Sequence, residues 1–330
     1  MTLSNAEINK LSKKNEKSAI KKAANITGFA FFMLTSVMVF WSVPVTVIIK
    51  LFAKRPETIL KYLSDPTIAQ VIQICVSSIA FTFPFIIYCK MMGERVSNIA
   101  TFNKPKNKKL LFPLVLLGLG VCGFSNVVVS GAGAILQNFG FNYEVTKTEN
   151  PTNIYGIILS FVATAVTPAL VEEFAMRGAV MGALRKFGDS FAVITSALVF
   201  GLMHGNLVQI PFAFILGLFF GFAVIKTGTI WTAVIIHFLN NLFSISLSYL
   251  LSNSNGAVMW FANIFYLVVL LALGFIGCFL YLKQGEENFS LDDKTQVLTV
   301  REKLTSFLTA PCIIISIIIV LLESFFVYRA

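Results

Sequence analysis

Apolar and polar residues are sorted along this chain into long blocks rather than alternating at short period. Charge-free apolar runs occupy residues 26–49, 67–88, 110–136, 207–225, 230–251 and 258–282, and a further run, 308–327, is broken only by Glu323 near its end. A helix needs about 20 apolar residues to cross a hydrocarbon core of ~30 Å, so each run predicts a transmembrane helix. Two segments are less regular: 154–184 carries Pro168 and a cluster of charges, and 191–203 is short. The pattern predicts an all-α fold, a polytopic transmembrane helix bundle of eight or nine spans with a polar chamber inside the membrane.

The polar blocks divide the chain. Residues 1–25 form a basic arm with Lys10, Lys13, Lys14, Lys17, Lys21 and Lys22, expected to lie as an amphipathic or disordered segment at an anionic membrane surface. The apolar run after it is too long for the core of a secretory signal and has no clear small-residue cleavage site, so it is expected in the mature protein. Transmembrane helices then fill 26–153, a helical core holding the charge cluster fills 154–252, and more helices fill 253–330, with a polar loop at 284–306. Gly118, Gly120, Gly123, Gly131 and Gly133 suit close helix packing in lipid.

With nine spans and the amino terminus inside, nineteen of the 26 Lys and Arg fall on the inner side. Five fall outside: Lys54, Arg55, Lys61, Lys147 and Arg329. That bias predicts a cytoplasmic amino terminus and an outer carboxyl terminus.

Composition narrows the class. The chain has 330 residues, 56% apolar and 13% charged, with 33 Phe, and a mean hydropathy of +0.80. Soluble domains hold about 25% charged residues, so this is an integral membrane protein and not a soluble domain with one anchor. The net charge of +10 sits in loops and the arm, without an aromatic-interleaved basic motif, which argues against a nucleic-acid partner. Cys75, Cys89, Cys122, Cys278 and Cys312 are scattered singly through apolar runs and read as small hydrophobes, not as a disulfide framework or metal site.

Against that background the stretch VEEFAMRG at 171–178 stands out, because it places Glu172, Glu173 and Arg177 inside an apolar segment. An ionised group costs at least ~2.5–3.5 kcal/mol on insertion into hydrocarbon, so such residues point to function. Glu173 precedes Arg177 by four residues and shares its helix face, which predicts a structural ion pair and leaves Glu172 free. The chain's two histidines also lie in apolar segments: His204 follows Phe200 by four, and His237 precedes Asn241 by four. Glu172 lies thirteen residues before Arg185 and His204 fifteen after Asp189, each about 20 Å deep at the helical rise. His237 and Asn241 fall roughly 12 and 18 Å from the turn near Lys226, so one layer can hold all four.

A free carboxylate and a neutral imidazole can activate water by general-base catalysis, while His237 and Asn241 can donate hydrogen bonds to a developing oxyanion. Other intramembrane schemes lack their parts. There is no HExxH and no GxSxG, and Lys186 stands where a GxGD motif ending in Gly188-Asp189 needs its first glycine. A zinc site from Glu172, His204 and His237 is the metal alternative.

Pro168, Glu172-Glu173, Arg177-Gly178, Phe200-x-x-x-His204 and His237-x-x-x-Asn241 resemble the motifs of the CAAX protease and bacteriocin-processing (Abi) family. The segments LVFGLMHGNLVQIPFAFILGLFFGF and GTIWTAVIIHFLNN are similar to it as well; the likeness covers about 154–246. The resemblance implies a metal-independent glutamic endopeptidase without a cofactor. In it Glu172 and His204 activate water, His237 and Asn241 stabilise the oxyanion, and Glu173, Arg177 and Phe200 support them. The implied partners are the bilayer and a peptide or membrane-tethered protein substrate. Richness in Lys, Ile, Asn and Phe suggests a bacterial cytoplasmic membrane and argues against a prenylated substrate. A non-catalytic immunity or scaffold protein is the competing reading from another class.

Overall fold

The computed structural model describes residues 5–52, 61–62, 64–140, 150–285, 291, 293 and 297–328. The described residues form helices joined by turns. α1 is Asn5–Phe40, α2 Ser42–Phe52, α3 Pro66–Met91, α4 Lys108–Asn138 and α5 Ile154–Phe187. They are followed by α6 Asp189–Leu202, α7 Gln209–Thr227, α8 Trp231–Leu250, α9 Gly256–Lys283, α10 Val300–Leu308 and α11 Pro311–Tyr328.

Among the described residues seven helices are long and apolar enough to cross a membrane, or eight if α10 and the following helix, bent by 69°, make one span. The ninth expected span is corrected. The run 191–203 forms α6, whose 14 residues rise about 21 Å at 1.5 Å each, short of a ~30 Å core. The helix stops there because Gly205 takes a φ of +66°, a left-handed conformation that costs other residues energy. Asn206 then begins the return by accepting from Val208 N at 2.9 Å and Gln209 N at 3.0 Å. The chain therefore turns back into α7 before α6 has covered that length.

The arm takes the amphipathic of its two expected forms. It is helical from Asn5 and continuous with the first apolar run, and Ile20, Ala23 and Ala24 are buried. Buried positions at this spacing fix its lysines on the outer face, while Glu16 turns toward the bundle.

Hydrogen bonds sort the ends of the helices. Lys106 N donates to Thr227 O at 2.9 Å, and Thr229 Oγ1 to Asn103 O at 2.7 Å. Lys186 pairs with Glu94 at 3.2 Å, Ser190 N donates to Asp293 at 2.9 Å, and Leu298 N donates to Glu16 at 2.9 Å. Buried Lys303 donates to Phe187 O at 2.6 Å. The arm, the 92–107 loop, the turns after α5 and α7, and the segment before α10 thus share one end, and this is the basic end. At the other end Asn153 donates to Thr67 Oγ1 at 2.9 Å, and Tyr249 to Ser160 Oγ at 3.0 Å. Lys54, Arg55, Lys147 and Arg329, counted for that end, lie outside the described residues, as does Lys294 of the basic end.

α4 and α9 pack antiparallel through small residues. A Cβ on Gly120 would collide with Gly274 Cα, and one on Gly277 with the Leu117 backbone. Gly118 and Gly123 are tight against Ile236 and Leu270, whereas Gly131 meets nothing within 4 Å and Gly133 only Val208 at 3.9 Å. The close-packing expectation therefore fails at those last two glycines: α4 has left its partners by that point.

Candidate functional site

α5 is not a uniform helix. It widens to a π-helix at Val162–Val166 and again at Phe174–Met181, on either side of the α-helical turn Thr167–Glu173 that carries both glutamates. Pro168 lies between. It has no N–H to return to the carbonyl four residues earlier, so Thr164 O is left without an α-helical partner. Asn241 Nδ2 from α8 takes it, at 3.0 Å, and Asn241 Oδ1 accepts from Asn240 Nδ2 at 3.0 Å. One hydrogen of the Asn241 amide is thereby fixed, and its orientation with it.

The second cluster lies one turn on. Glu173 is fully buried and Arg177 nearly so, with Arg177 Nη1 at 3.0 Å from both carboxylate oxygens. The guanidinium also donates to Gly217 O at 3.3 Å, and its carbon sits 4.4 Å from the Phe200 ring centre and 5.0 Å from that of Phe220. Carboxylate, carbonyl and two ring faces replace part of the water a buried guanidinium loses, while Nε is left without a hydrogen-bond partner among the described residues. The carbonyl is within reach because a Cβ on Gly217 would stand only 2.8 Å from Ala197 Cα: glycine lets α6 and α7 close up.

The expected Glu173–Arg177 pair is present, and it has a third member. His237 Nδ1 lies 2.9 Å from Glu173 Oε1, and His237 Nε2 lies 4.0 Å from Glu172 Oε2. A carboxylate only accepts, so Nδ1 carries a proton and Nε2 faces Glu172. His204 is fixed in a parallel way, with Nδ1 at 2.9 Å from Phe200 O. The carbonyl accepts, which leaves Nε2 of the neutral ring as an acceptor. The Phe200 ring stands edge to face with both imidazoles, centres 5.2 Å from His204 and 6.1 Å from His237.

Glu172, His204, His237, Asn241 and Phe200 line one cavity of about 390 Å³. Glu173 and Arg177 stand behind its wall. The sequence reading brought these residues to a common depth; the structure brings them to a common space. The lining also includes Gln73, Thr164, Gln209 and Asn240, which sequence reasoning missed. Gln73 carried a usable signal, an amide within the α3 apolar run. Thr164 contributes a backbone atom and has no side-chain signal at all.

Among the described residues no three His, Cys, Asp or Glu side chains are grouped to hold a metal ion. The zinc set of Glu172, His204 and His237 is thus not grouped closely enough to hold one.

Residues 154–243 match the family described as type II CAAX prenyl endopeptidase Rce1-like. The chain is 26% identical over 133 residues to "Putative membrane peptidase YdiL" of Bacillus subtilis (strain 168), covering 40% of this chain and 51% of the relative. It is 29% identical over 142 residues to "Membrane-embedded CAAX protease MroQ" of Staphylococcus aureus (strain USA300), covering 41% and 57%. The chain thus spans about half the length of the curated relatives it matches. No solved structure matches.

Proposed function

We propose, on the premise that residues 154–243 place this chain in the Rce1-like CAAX-protease superfamily, that it is an intramembrane endopeptidase of glutamic type. A water in the cavity loses a proton to Glu172, or to Nε2 of His204, as its oxygen attacks the substrate carbonyl carbon. The negative charge that builds on the carbonyl oxygen is met by His237 Nε2–H and by the second Asn241 amide hydrogen. With Nδ1–H held by Glu173, donation from Nε2 is made by the imidazolium form of His237. The proton taken from water passes to the departing nitrogen as the C–N bond breaks, and the base is restored. Donors of this kind are often worth ~3–4 kcal/mol each in the transition state.

The observation that carries this reading is the arrangement of His237, with Nδ1 on Glu173 at 2.9 Å and Nε2 turned toward Glu172 at 4.0 Å. A histidine that served only a helix interface would spend both nitrogens inside it. The substrate class is a peptide or a membrane-tethered protein segment. The basic end lies in the cytoplasm, by the positive-inside rule, within a bacterial cytoplasmic membrane.

The test is Glu172→Gln. Membrane and secreted peptides are compared between wild type and variant, with their termini mapped by mass spectrometry. Cleavage is expected to fall by about 10²-fold or more, the usual worth of a positioned general base. A stable variant that leaves every terminus and the biological activity unchanged would reassign the cluster to folding, as in an immunity or scaffold protein.

A further inference from the structure

The cavity has four carboxamides in its wall, and they divide into two kinds. Asn240 and Asn241 are committed to each other and to Thr164 O. Gln73 and Gln209 line the same space, yet neither side chain makes a hydrogen bond among the described residues. Gln73 stands in α3, a 26-residue helix long enough to span the membrane that carries a second amide, Gln70, three residues earlier. Gln73 is exposed and Gln209 half-buried, so both amides are open to whatever enters the cavity, and an amide left to face hydrocarbon costs free energy that a polar ligand or water removes.

Position says what kind of ligand. Gln73 is seven residues in from Pro66 and Gln209 is the first residue of α7, and both of those helix ends lie opposite the basic end. Phe220 is eleven residues further along α7, about 16 Å deeper by helical rise. It lines the deeper part of the cavity together with Phe200, the two rings holding Arg177. The free amides therefore flank the outer part of the cavity, from two separate helices, with Glu172 beyond them. Gln209 is held in place, since its backbone N–H is fixed by Asn206.

A carboxamide offers one acceptor oxygen and two N–H donors, the complement of a peptide unit. An extended chain presents such units unpaired on both edges, and recognition by main-chain hydrogen bonds is independent of its side chains. A hydrocarbon chain presents nothing for them. We propose that Gln73 and Gln209 form a rim that holds the main chain of an extended peptide across the mouth of the Glu172 cavity. This rests on the endopeptidase reading and adds to it two binding residues, one of them outside the segment that matches the family.

The experiment uses the full chain in lipid nanodiscs. A synthetic peptide is made that spans a cleavage site mapped from the comparison of wild type with Glu172→Gln. Two analogues carry an ester in place of the amide one residue before or after the scissile bond. Gln73→Met and Gln209→Met keep side-chain length and remove the hydrogen bonds. Each is expected to raise KM about fivefold with kcat within about twofold, the signature of lost uniform binding through one hydrogen bond. Melting temperature should hold, because neither amide has a partner within the fold to lose. At least one ester should weaken wild type and have no further effect on a Met variant.

Wild-type KM in both Met variants while Glu172→Gln abolishes cleavage overturns the rim and leaves the endopeptidase reading standing. So does a fall in kcat together with a lower melting temperature, which marks a structural role. Equal ester penalties in wild type and both variants overturn it as well. If Glu172→Gln changes no terminus, the endopeptidase reading falls and the rim falls with it.

Discussion

At the scale of single residues, Glu172 and Glu173 are neighbours with opposite duties. Glu173 is fully buried and engaged by Arg177 and His237, whereas the Glu172 side chain is 16% exposed and reaches the cavity. Neutralising each should give a different phenotype. Glu173→Gln strips Arg177 of its counter-charge in a dry site, and breaking a buried pair by removing one partner costs about 3–5 kcal/mol. Its melting temperature in detergent is expected to drop by many degrees, while Glu172→Gln melts close to wild type. Equal melting curves would mean that Arg177 is held by Gly217 O and the two phenylalanine rings alone. The i,i+4 spacing announced the ion pair, but nothing local announced His237, 64 residues away in sequence.

At the scale of elements, the irregular α5 is the informative one. Pro168 frees Thr164 O, and that carbonyl orients Asn241. Pro168→Ala gives the helix back an N–H that competes for the same oxygen. The expected result is unchanged or increased thermal stability with kcat reduced about tenfold, since small misplacements of a positioning group are costly in rate. Equal kcat in both proteins would show that Asn241 does not need Thr164. π-helical turns of this kind are frequent at functional sites because they offer main-chain groups that a regular helix conceals. The sequence marked Pro168 as a bend; which carbonyl it liberates, and which side chain takes that carbonyl, depends on α8 lying alongside. The short α6 makes a similar point. Its apolar run resembled a span, and only the turn at Gly205–Asn206 puts His204 beside the cavity.

At the scale of the whole molecule, five basic segments converge on one end, and none of them contributes a residue to the cavity lining. Under the proposed orientation the mouth lies toward the outer half of the membrane. Lys14 is exposed on the helical arm, so a Lys14→Cys variant reports the side of the basic end. A membrane-impermeant maleimide is expected to label that position in inverted vesicles and not in intact cells. Labelling in intact cells would reverse the orientation and place the cavity mouth in the cytoplasm.

Burial in lipid is a property of composition, so the sequence by itself determined that this is an all-α integral membrane protein and roughly how many times it crosses. It also determined which polar residues are too costly in hydrocarbon to be incidental, because that cost attaches to residue type and depth. The VEEFAMRG stretch and the two histidines were legible for this reason, and the helical spacing of Glu173 and Arg177 settled their pairing. Only the tertiary structure decided the rest. It cut the ninth span to a short helix that turns back, added His237 to the Glu173–Arg177 pair, set each imidazole's Nδ1 on its partner, and set Gln73 in the cavity wall. Those outcomes depend on which helices lie side by side. Apolar helices in an apolar solvent choose their neighbours by shape and by a few hydrogen bonds, which a pattern of hydrophobic positions does not record.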